Sequence, residues 1–540
     1  MTLPVLSPSQ IVPPQRGAPR LRLTGTVVAQ YFRSRCERQL RYDLVPAAER
    51  GGEVPRDNGD PAAGPLVGAR PGLALLARAG QVWERRKLTQ LRERLGPERV
   101  VSTGSEGDGQ ARQMPYEQVV RTLQDPGAAR FLVQPELRLP DPAAFLRAYG
   151  IDPEKVDAAT SRPDLIRIRR GRDGRVRLGI ADIKWSREAG IPHFAQVAFY
   201  TLLLEEVCRA EGIDAVVERR RGWIWSRGAR GPRPFALAAY RHHVQEFLRG
   251  ELAQAVARAP GEAAWHLLPA CAGCRYFGHC RAQADGADDV ARVAGITPLA
   301  RQVLAARGVA SVRSLGTALF RRETFTGCHA LEANESVLRQ RTQAVRYNKV
   351  FDVEGRTRLM GDAEAVRVLV TAEADPVTAT VFALGLRIER AGRKAESHVF
   401  LAPRGSAAGE RAMLGEFLQQ ASAVAVEAAA QAEAAPSVKG RRNVAGPGSL
   451  RFFVWDRGEM ESLRSLVSRH VGDAEVGPAL GAFQAAIFPP AGARGMKPGA
   501  PGTVLLDAVT ELFALPVAYA YDLAAVSDAL RPAADARVFT

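Results

Sequence analysis

Lysine is nearly missing from this chain. Of 74 basic residues in 540, only seven are lysine (Lys87, Lys155, Lys184, Lys349, Lys394, Lys439 and Lys497) and the rest are arginine. None of the seven stands in a Gly-x-x-x-x-Gly-Lys-Ser/Thr context, which excludes a P-loop nucleotide motor within these residues. Long apolar runs are missing too: none approaches the roughly 18 residues that span a bilayer, and the Pro-rich start through Ala18 lacks the apolar centre of a signal peptide. A cytoplasmic protein with no membrane partner is expected. Cysteine is sparse, six in all, which is no disulfide framework for so long a chain and predicts thiols in a reducing compartment.

What is present is arginine, and with it a formal charge of +16. Arginine in place of lysine, beside abundant Ala, Gly and Pro, reads as a codon bias, so charge alone is weak evidence for a polyanionic partner. The same bias makes every lysine informative. At roughly 100 to 200 residues per domain the length predicts about three or four domains, and the pattern divides the chain into unlike blocks without internal repeats. Residues 1–20 are Pro-rich and predict a disordered tail. A block at 21–288 carries most of the legible chemistry, 289–345 reads as a helical linker, and 346–540 forms a last block.

Within 21–288, Thr24 can cap a helix bearing Val27, Val28, Tyr31, Phe32 and Cys36. Gly51 to Gly72 reads as a loop, and a helix through Leu88 and Leu91 leads to a strand near Val100. Phe131 to Leu137 is a further expected strand. Leu165-Ile-Arg-Ile-Arg and Val176 to Lys184 alternate apolar with polar residues around Arg172-Asp173-Gly174, a strong hairpin signal. A helix from Phe194 to Cys208 follows, then a second hairpin, Trp223-Ile-Trp with Pro234-Phe-Ala-Leu. A helix from Ala239 to Ala257 then leads to a cysteine cluster. His193 and His279 lie near the motifs without partner spacing and read as polar loop residues, and Cys208 and Cys328 as buried thiols.

Asp164 opens the first strand of the Asp-Gly hairpin and Asp182 ends the second, with Lys184 two residues on. Positions two apart in a strand share a face, so Asp182 and Lys184 point together. Phosphodiester hydrolysis uses such a set: carboxylates for Mg²⁺ or Mn²⁺, and a compact cation beside the attacking water. A surface Asp/Lys pair is the plain alternative. Gln196 and Tyr200, four apart on the next helix, share a face one turn apart.

In this order, Pro163-Asp164, Asp182-Ile183-Lys184 and Gln196-Val-Ala-Phe-Tyr200 resemble the PD-(D/E)XK nucleases of the RecB type. The resemblance implies a restriction-endonuclease-like core in which Asp164, Asp182 and the backbone carbonyl of Ile183 ligate the metal. It further implies that Lys184 orients or activates water and that Gln196 and Tyr200 support the site or the strand being cut. Many relatives carry a metal-ligating His on an earlier helix. Here Trp83 stands in that place, so either the adjacent Glu84 serves instead or the site binds metal more weakly.

Cys271-x₂-Cys274-x₅-Cys280 follows the nuclease-like helices, and Cys36 precedes them by more than 100 residues of intervening motif. Thiolates so spaced can complete a four-ligand site for zinc or for iron and sulfur. One cysteine before the motifs and three after resembles the iron-sulfur staple of RecB-type nucleases of the AddB and CRISPR-associated kinds. That resemblance implies a [4Fe-4S] cluster on Cys36, Cys271, Cys274 and Cys280, structural in role, pinning the two ends of the domain together.

Farther on, Val293-Ala-Gly295-Ile-Thr-Pro-Leu, Val303-Leu and Gly308-Val resemble a helix-hairpin-helix, with a plain helical linker as the alternative. The last block reads strand, strand, strand, helix, strand, with a low-complexity segment from Ala421 to Gly448 and a loop from Pro489 to Gly502. That is the order of a ribonuclease H-like core. Asp375-Pro376, Trp455-Asp456, Gly458-Glu459 and Leu505-Leu-Asp507 resemble the DnaQ-like exonuclease domains that follow RecB-type nucleases in some nuclease-helicase chains. Thr371 stands where the first metal-binding Asp of an Asp-x-Glu ending in Glu373 is expected, which predicts a degenerate domain.

Taken together, the sequence predicts a multidomain α/β protein that acts as a metal-dependent DNA nuclease. By resemblance it is an exonuclease on single-stranded DNA or DNA ends, in repair, recombination or defence, working with a helicase in trans or C-terminal to this chain. The arginine-rich hairpins (Arg167 to Arg177 and Arg219 to Arg233) could supply phosphate contacts or be solvated strand faces. One alternative is a weakly catalytic module that grips nucleic acid for a helicase, and another is a zinc protein that scaffolds RNA.

Overall fold

The computed structural model describes residues 20–51, 54–55, 72–103, 113–158, 160–355, 357, 359, 365–390, 392–403, 405–434, 449–487 and 502–531. Most of the expected N-terminal tail, of the insert after Gly51 and of the loop from Pro489 therefore lies outside the described residues. The described chain is a mixed α/β structure that divides into two compact units, Met1–His266 with Ala270–His279, and Leu267–Pro269 with Cys280–Thr540. No described helix is long and apolar enough to cross a membrane.

The first unit contains β1 (Leu21–Arg22), α1 (Gly25–Ser34), α2 (Glu37–Asp43), α3 (Gly72–Leu95), β2 (Val100–Val101), α4 (Tyr116–Gln124), β3 (Phe131–Val133), α5 (Pro142–Arg147) and β4 (Val156–Asp157). It continues through β5 (Leu165–Arg170), β6 (Val176–Ile183), α6 (Ile191–Ala210), β7 (Ala215–Val217), β8 (Arg221–Trp225) and β9 (Arg233–Ala236). Then α7 (Leu237–Phe247) passes through a π-helical turn into α8 (Ala253–Ala257), and α9 (Phe277–Gly286) begins the segment where the units divide. The central sheet runs β2-β3-β5-β6-β8-β9, with β7 pairing on β6 beside β8. Gly174, at φ 75°, closes the β5–β6 hairpin where the sequence placed it, because only glycine adopts that turn conformation without strain. The expected strand at Phe131 to Leu137 stops instead at Val133, since Gln134 takes φ 45° and turns the chain.

Strand alternation gives this sheet two different faces. Ala181 and Ile183 of β6, Leu165 of β5 and Trp225 of β8 form one core with Leu88 and Leu91 of α3. Ile180 and Asp182 point the other way, as do Ile166 and Ile224, and α6 covers that face, its Val197 lying against Gly222. That helix is buried almost all round, from Ala195 to Leu204, as expected of a helix enclosed between a sheet and another helix. The other helix is α1, started by the Thr24 hydroxyl accepting the Val27 amide at 3.2 Å.

In the second unit, α10 (Pro298–Ala306), α11 (Val312–Ala318), α12 (His329–Glu332) and α13 (Glu335–Tyr347) enclose an apolar cluster around Leu304, Leu315, Phe325 and Leu338. The ladder of β10 (Phe351–Asp352) follows, and then β11 (Val366–Ala374), β12 (Val381–Arg390), β13 (Glu396–Leu401), α14 (Ala407–Ala434), β14 (Leu450–Val454), α15 (Arg457–His470) and α16 (Gly477–Ile487). β15 (Gly502–Val504), α17 (Leu505–Leu512), β16 (Phe513–Ala514) and α18 (Leu523–Leu530) complete the unit. The five-stranded sheet runs β13-β12-β11-β14-β15, antiparallel up to β11 and parallel from there. One expectation changes: Ala421 to Ala434 is not a low-complexity connection but the second half of α14, because alanine is the strongest helix former and this stretch has no breaker.

The contact between α1 and α6 is set by a glycine. A Cβ on Gly25 would come within 2.3 Å of the Tyr200 ring, so the helices can approach only while that position is bare. Gly25→Ala is therefore expected to lose about 1 to 3 kcal/mol in denaturant unfolding despite alanine's better helix propensity. Unchanged stability would mean that Tyr200 moves aside freely.

Candidate active site

The end of the β5–β6 hairpin carries the carboxylates. Asp164 stands one residue before β5 and its backbone carbonyl accepts the Gln134 amide at 2.8 Å, so the chain is fixed there by the neighbouring strand. Its side chain reaches across to β6, where Oδ2 accepts the Ile183 amide at 2.5 Å. Asp182 lies inside β6 at 1% exposure. Lys184 is just past that strand, held by its amide donating to the Trp225 carbonyl at 3.0 Å, and its Nζ lies 2.6 Å from Asp182 Oδ2. That approach is an ion pair out of line for a hydrogen bond, and Oδ2 has no hydrogen-bond partner.

Electrostatics follow from burial. Loss of water, and then the charge of Asp182, push the Asp164 carboxyl well above the usual carboxylate range. Burial works against the Lys184 ammonium, but the Asp182 and Asp164 carboxylates outweigh it and raise its pKa above the ordinary lysine value. Burial and the same two carboxylates raise the Tyr200 hydroxyl, which stays protonated and accepts from Gln196 Nε2 at 3.0 Å. Gln196 and Tyr200 are thus brought together on one turn of α6, on the sheet face that carries Asp182.

Glu84 comes from α3. Its Oε1 accepts from Gln134 Nε2 at 2.7 Å, and its charge acts on both Asp164 and Lys184. Trp83, in the place where a ligand histidine is expected, packs edge-on to Trp185 at 5.4 Å, with Lys87 Nζ 4.2 Å from its ring centre. Two residues escaped the sequence reading. Gln134 orients Glu84, and its only signal was its place after an apolar strand. His193, expected in a loop, lies in the first turn of α6, with Nδ1 accepting the Gly190 amide at 3.2 Å. Burial and then the Lys184 charge lower its pKa to about 4, so it is a neutral imidazole.

The buried, unpartnered Oδ2 of Asp182 beside a buried Asp164 is a donor set that fits a hard divalent cation. Mg²⁺ commonly takes one or two carboxylates and keeps several waters, and Asp164, Asp182, the Ile183 carbonyl and Glu84 are the groups that would hold it. Among the described residues no three His, Cys, Asp or Glu side chains are arranged as they stand to hold a metal ion, so water would complete such a shell.

The cysteines belong to another part of the chain. Cys36 is the N-cap of α2, its Sγ accepting the Gln39 amide at 3.5 Å. Cys271 Sγ lies 3.7 Å from the His266 carbonyl, and the Cys274 amide donates to the Cys271 carbonyl at 2.8 Å. These three belong to the first unit, and Cys280, on α9, is the first residue of the second unit's longer segment. Within the first unit, α2 and the residues before and after Cys271 are tied together. Arg258 pairs with Glu37 at 2.7 Å, the Arg38 amide donates to Ala264 at 3.0 Å, and Tyr276 donates to Asp43 at 2.8 Å. His279, also on a helix and not in a loop, lies 3.4 Å from the Tyr42 hydroxyl. Cys208 and Cys328 are buried, and burial pushes the Cys208 thiol up to about 12.

In the second unit Thr371 and Glu373 lie on β11, while Asp456 caps α15 and accepts the Glu459 amide at 2.9 Å. Burial, with the charges of Asp456 and Glu373, raises the Glu459 pKa. Asp507 is paired with Arg457 at 3.0 Å. No family model, curated protein or solved structure matches the chain.

Asp164 gives a test by pH. A carboxyl whose folded pKa is raised holds its proton more tightly when folded, so its contribution is fully present below the ordinary Asp value of about 4 and is lost as pH rises through the folded value. In chelator, Asp164→Asn keeps an acceptor for the Ile183 amide and removes that loss. The melting temperature of the variant, relative to the unaltered protein, is expected to climb between about pH 4 and 8. A constant difference would show that Asp164 titrates normally.

Proposed function

We propose that the first unit is a nuclease of the PD-(D/E)XK, RecB-like type that hydrolyses phosphodiester bonds in DNA, with Mg²⁺ or Mn²⁺ on Asp164 and Asp182. The observation that carries the reading is the Asp182 carboxylate, buried in β6 with one oxygen unsatisfied and the Lys184 ammonium 2.6 Å away. When bound, the metal supplies positive charge that draws in the scissile phosphate and lowers the pKa of a coordinated water. The protein's own part is positioning. The ladder from Gln134 through Asp164 to Ile183 fixes the carboxylates, Lys184 stays charged at all ordinary pH and holds a water or phosphate oxygen by its free N–H directions, and Gln196 with Tyr200 presents a neutral polar edge to the same space. Glu84, oriented by Gln134, adds a carboxylate where Trp83 has none to offer.

A [4Fe-4S] cluster on Cys36, Cys271, Cys274 and Cys280 is proposed with it. Its support is that α2, which begins at Cys36, is already bound by three polar contacts to residues around Cys271 and Cys274. The second unit is proposed as a ribonuclease H-like domain, for which the β13-β12-β11-β14-β15 order and the helix between β13 and β14 are the support. Thr371 in place of a carboxylate on β11 makes it non-catalytic in this reading. Single-stranded DNA or DNA ends as substrate, and a helicase partner, belong to the proposal by resemblance alone.

Two measurements test it. On a labelled DNA strand with Mn²⁺, Lys184→Ala and Asp182→Asn are each expected to cut roughly a hundredfold more slowly or worse than the unaltered protein, and equal rates would leave the carboxylate site without a catalytic role. An anaerobic preparation is expected to be brown and to contain iron and acid-labile sulfide in equal amounts, both lost in Cys274→Ser; zinc in their place would overturn the cluster.

A further inference from the structure

The face of the central sheet that Asp182 does not use ends in a cleft of about 430 Å³, beyond the region covered by α3. Six arginines line it against two carboxylates, Asp173 and Glu218. Arg167 and Arg169 of β5, Arg177 of β6 and Arg221 of β8 supply its cationic walls by the same alternation that turns Ala181 and Trp225 toward the core. Its floor is Trp223. The indole lies flat enough on the sheet that a Cβ at Gly179 would come within 2.3 Å of it, and the Arg167 guanidinium stacks above it at 4.8 Å from the ring centroid.

This arrangement is costly unless something anionic shares it. Arg169 and Arg177 are direct cross-strand partners, and like charges so placed destabilise a sheet. Arg177 is relieved by Asp173 at 2.8 Å, while Arg167, Arg169 and Arg221 have no carboxylate partner among the described residues. Burial and then the charge of Arg169 lower the Arg167 pKa, as expected of a cation crowded by another. Solvated arginines on a strand face would spread apart; these converge over an aromatic plane.

We infer that this cleft is a binding site for single-stranded nucleic acid, separate from the carboxylate site on the opposite face of the sheet. Arg169, Arg177 and Arg221 contact phosphates, and the stacked Arg167–Trp223 pair provides a plane for an unpaired base. A duplex hides its base faces and cannot use that plane, whereas a single strand can.

The inference does not depend on the protein cutting DNA, because binding is read in chelator with the full chain. The probe is a fluorescein-labelled oligothymidylate followed by anisotropy over a salt series. Arg167→Ala/Arg169→Ala/Arg221→Ala is expected to bind at least about tenfold more weakly, with the slope of log affinity against log salt smaller by roughly two. Trp223→Leu is expected to lose about fivefold or more with the slope unchanged, and Trp223→Phe to recover most of it. Melting curves of each variant keep a folding defect from counting as a binding loss, and the arginines, being at the surface, are the decisive set. Affinity and slope unchanged in the triple variant would overturn the site. Loss of affinity in the triple variant with no effect of Trp223→Leu, and equal competition by duplex of the same length, would reduce it to a general polyanion surface and overturn the single-strand assignment. Slow cutting by Lys184→Ala with normal binding in chelator would separate this site from the catalytic one.

Discussion

The first unit is organised around two carboxylates that must be buried near each other. Asp164 and Asp182 approach from adjacent antiparallel strands with little water between them, a placement that raises the energy of their charged forms. Two features hold it. The Ile183 amide donates to Asp164, so one carboxylate is bound by the backbone of the other's strand, and the Lys184 ammonium lies against Asp182. Neither feature satisfies Asp182 Oδ2. A site of this kind is stable as a scaffold and incomplete as an electrostatic set, which is what distinguishes a place built for a cation from a buried salt bridge built for stability.

The strand period then decides what else can stand nearby. Because successive residues face opposite sides, the same β6 gives Ile180 and Asp182 to α6 and gives Gly179, Ala181 and Ile183 to the other face. Residues around Asp182 are drawn from α6, which explains why Gln196 and Tyr200 meet there, and why the α1–α6 approach over Gly25 matters to the site: it sets the position of the Tyr200 ring. Arg177 lies on the other face for the same reason and cannot contribute to the carboxylate set however basic the hairpin is. A one-residue slip of β6 would exchange the two populations.

Much of this was legible in sequence where a local rule dominates. Alternation and Asp-Gly located the β5–β6 hairpin, and the four-residue spacing put Gln196 beside Tyr200. The order of β11, β12, β13, α14 and β14 followed from apolar runs. Failures came where the controlling term is not local. Gln134 ends β3 by its backbone conformation, and its role is visible only once α3 brings Glu84 to it. His193 carries no spacing signal, because what makes it part of the site is its burial near Lys184. Ala421 to Ala434 looked featureless by composition, yet a run of alanine is helix when one side of it has a sheet to pack on, and Val424 and Ala428 are in that core. The stacking of Trp223 on Gly179 is likewise a cross-strand property, and the sequence places those residues 44 apart.

The two cations of this sheet are chemically different for reasons that the two faces make plain. At Asp182 the available space is buried and its partner is a single carboxylate oxygen, so a compact ammonium can enter at 2.6 Å, where a guanidinium fork would need a second acceptor in its plane. Over Trp223 the requirement is reversed: a planar, weakly hydrated cation can stack on an indole and still direct N–H groups outward, which an ammonium does less well. A chain that uses arginine almost everywhere has thus kept lysine at a position where arginine does not fit. Codon bias accounts for the arginines as a population, but it does not account for Lys184, and it does not place Arg167 on a ring. Those two choices are set by the shape of their surroundings, and they mark the two faces of the sheet for different work.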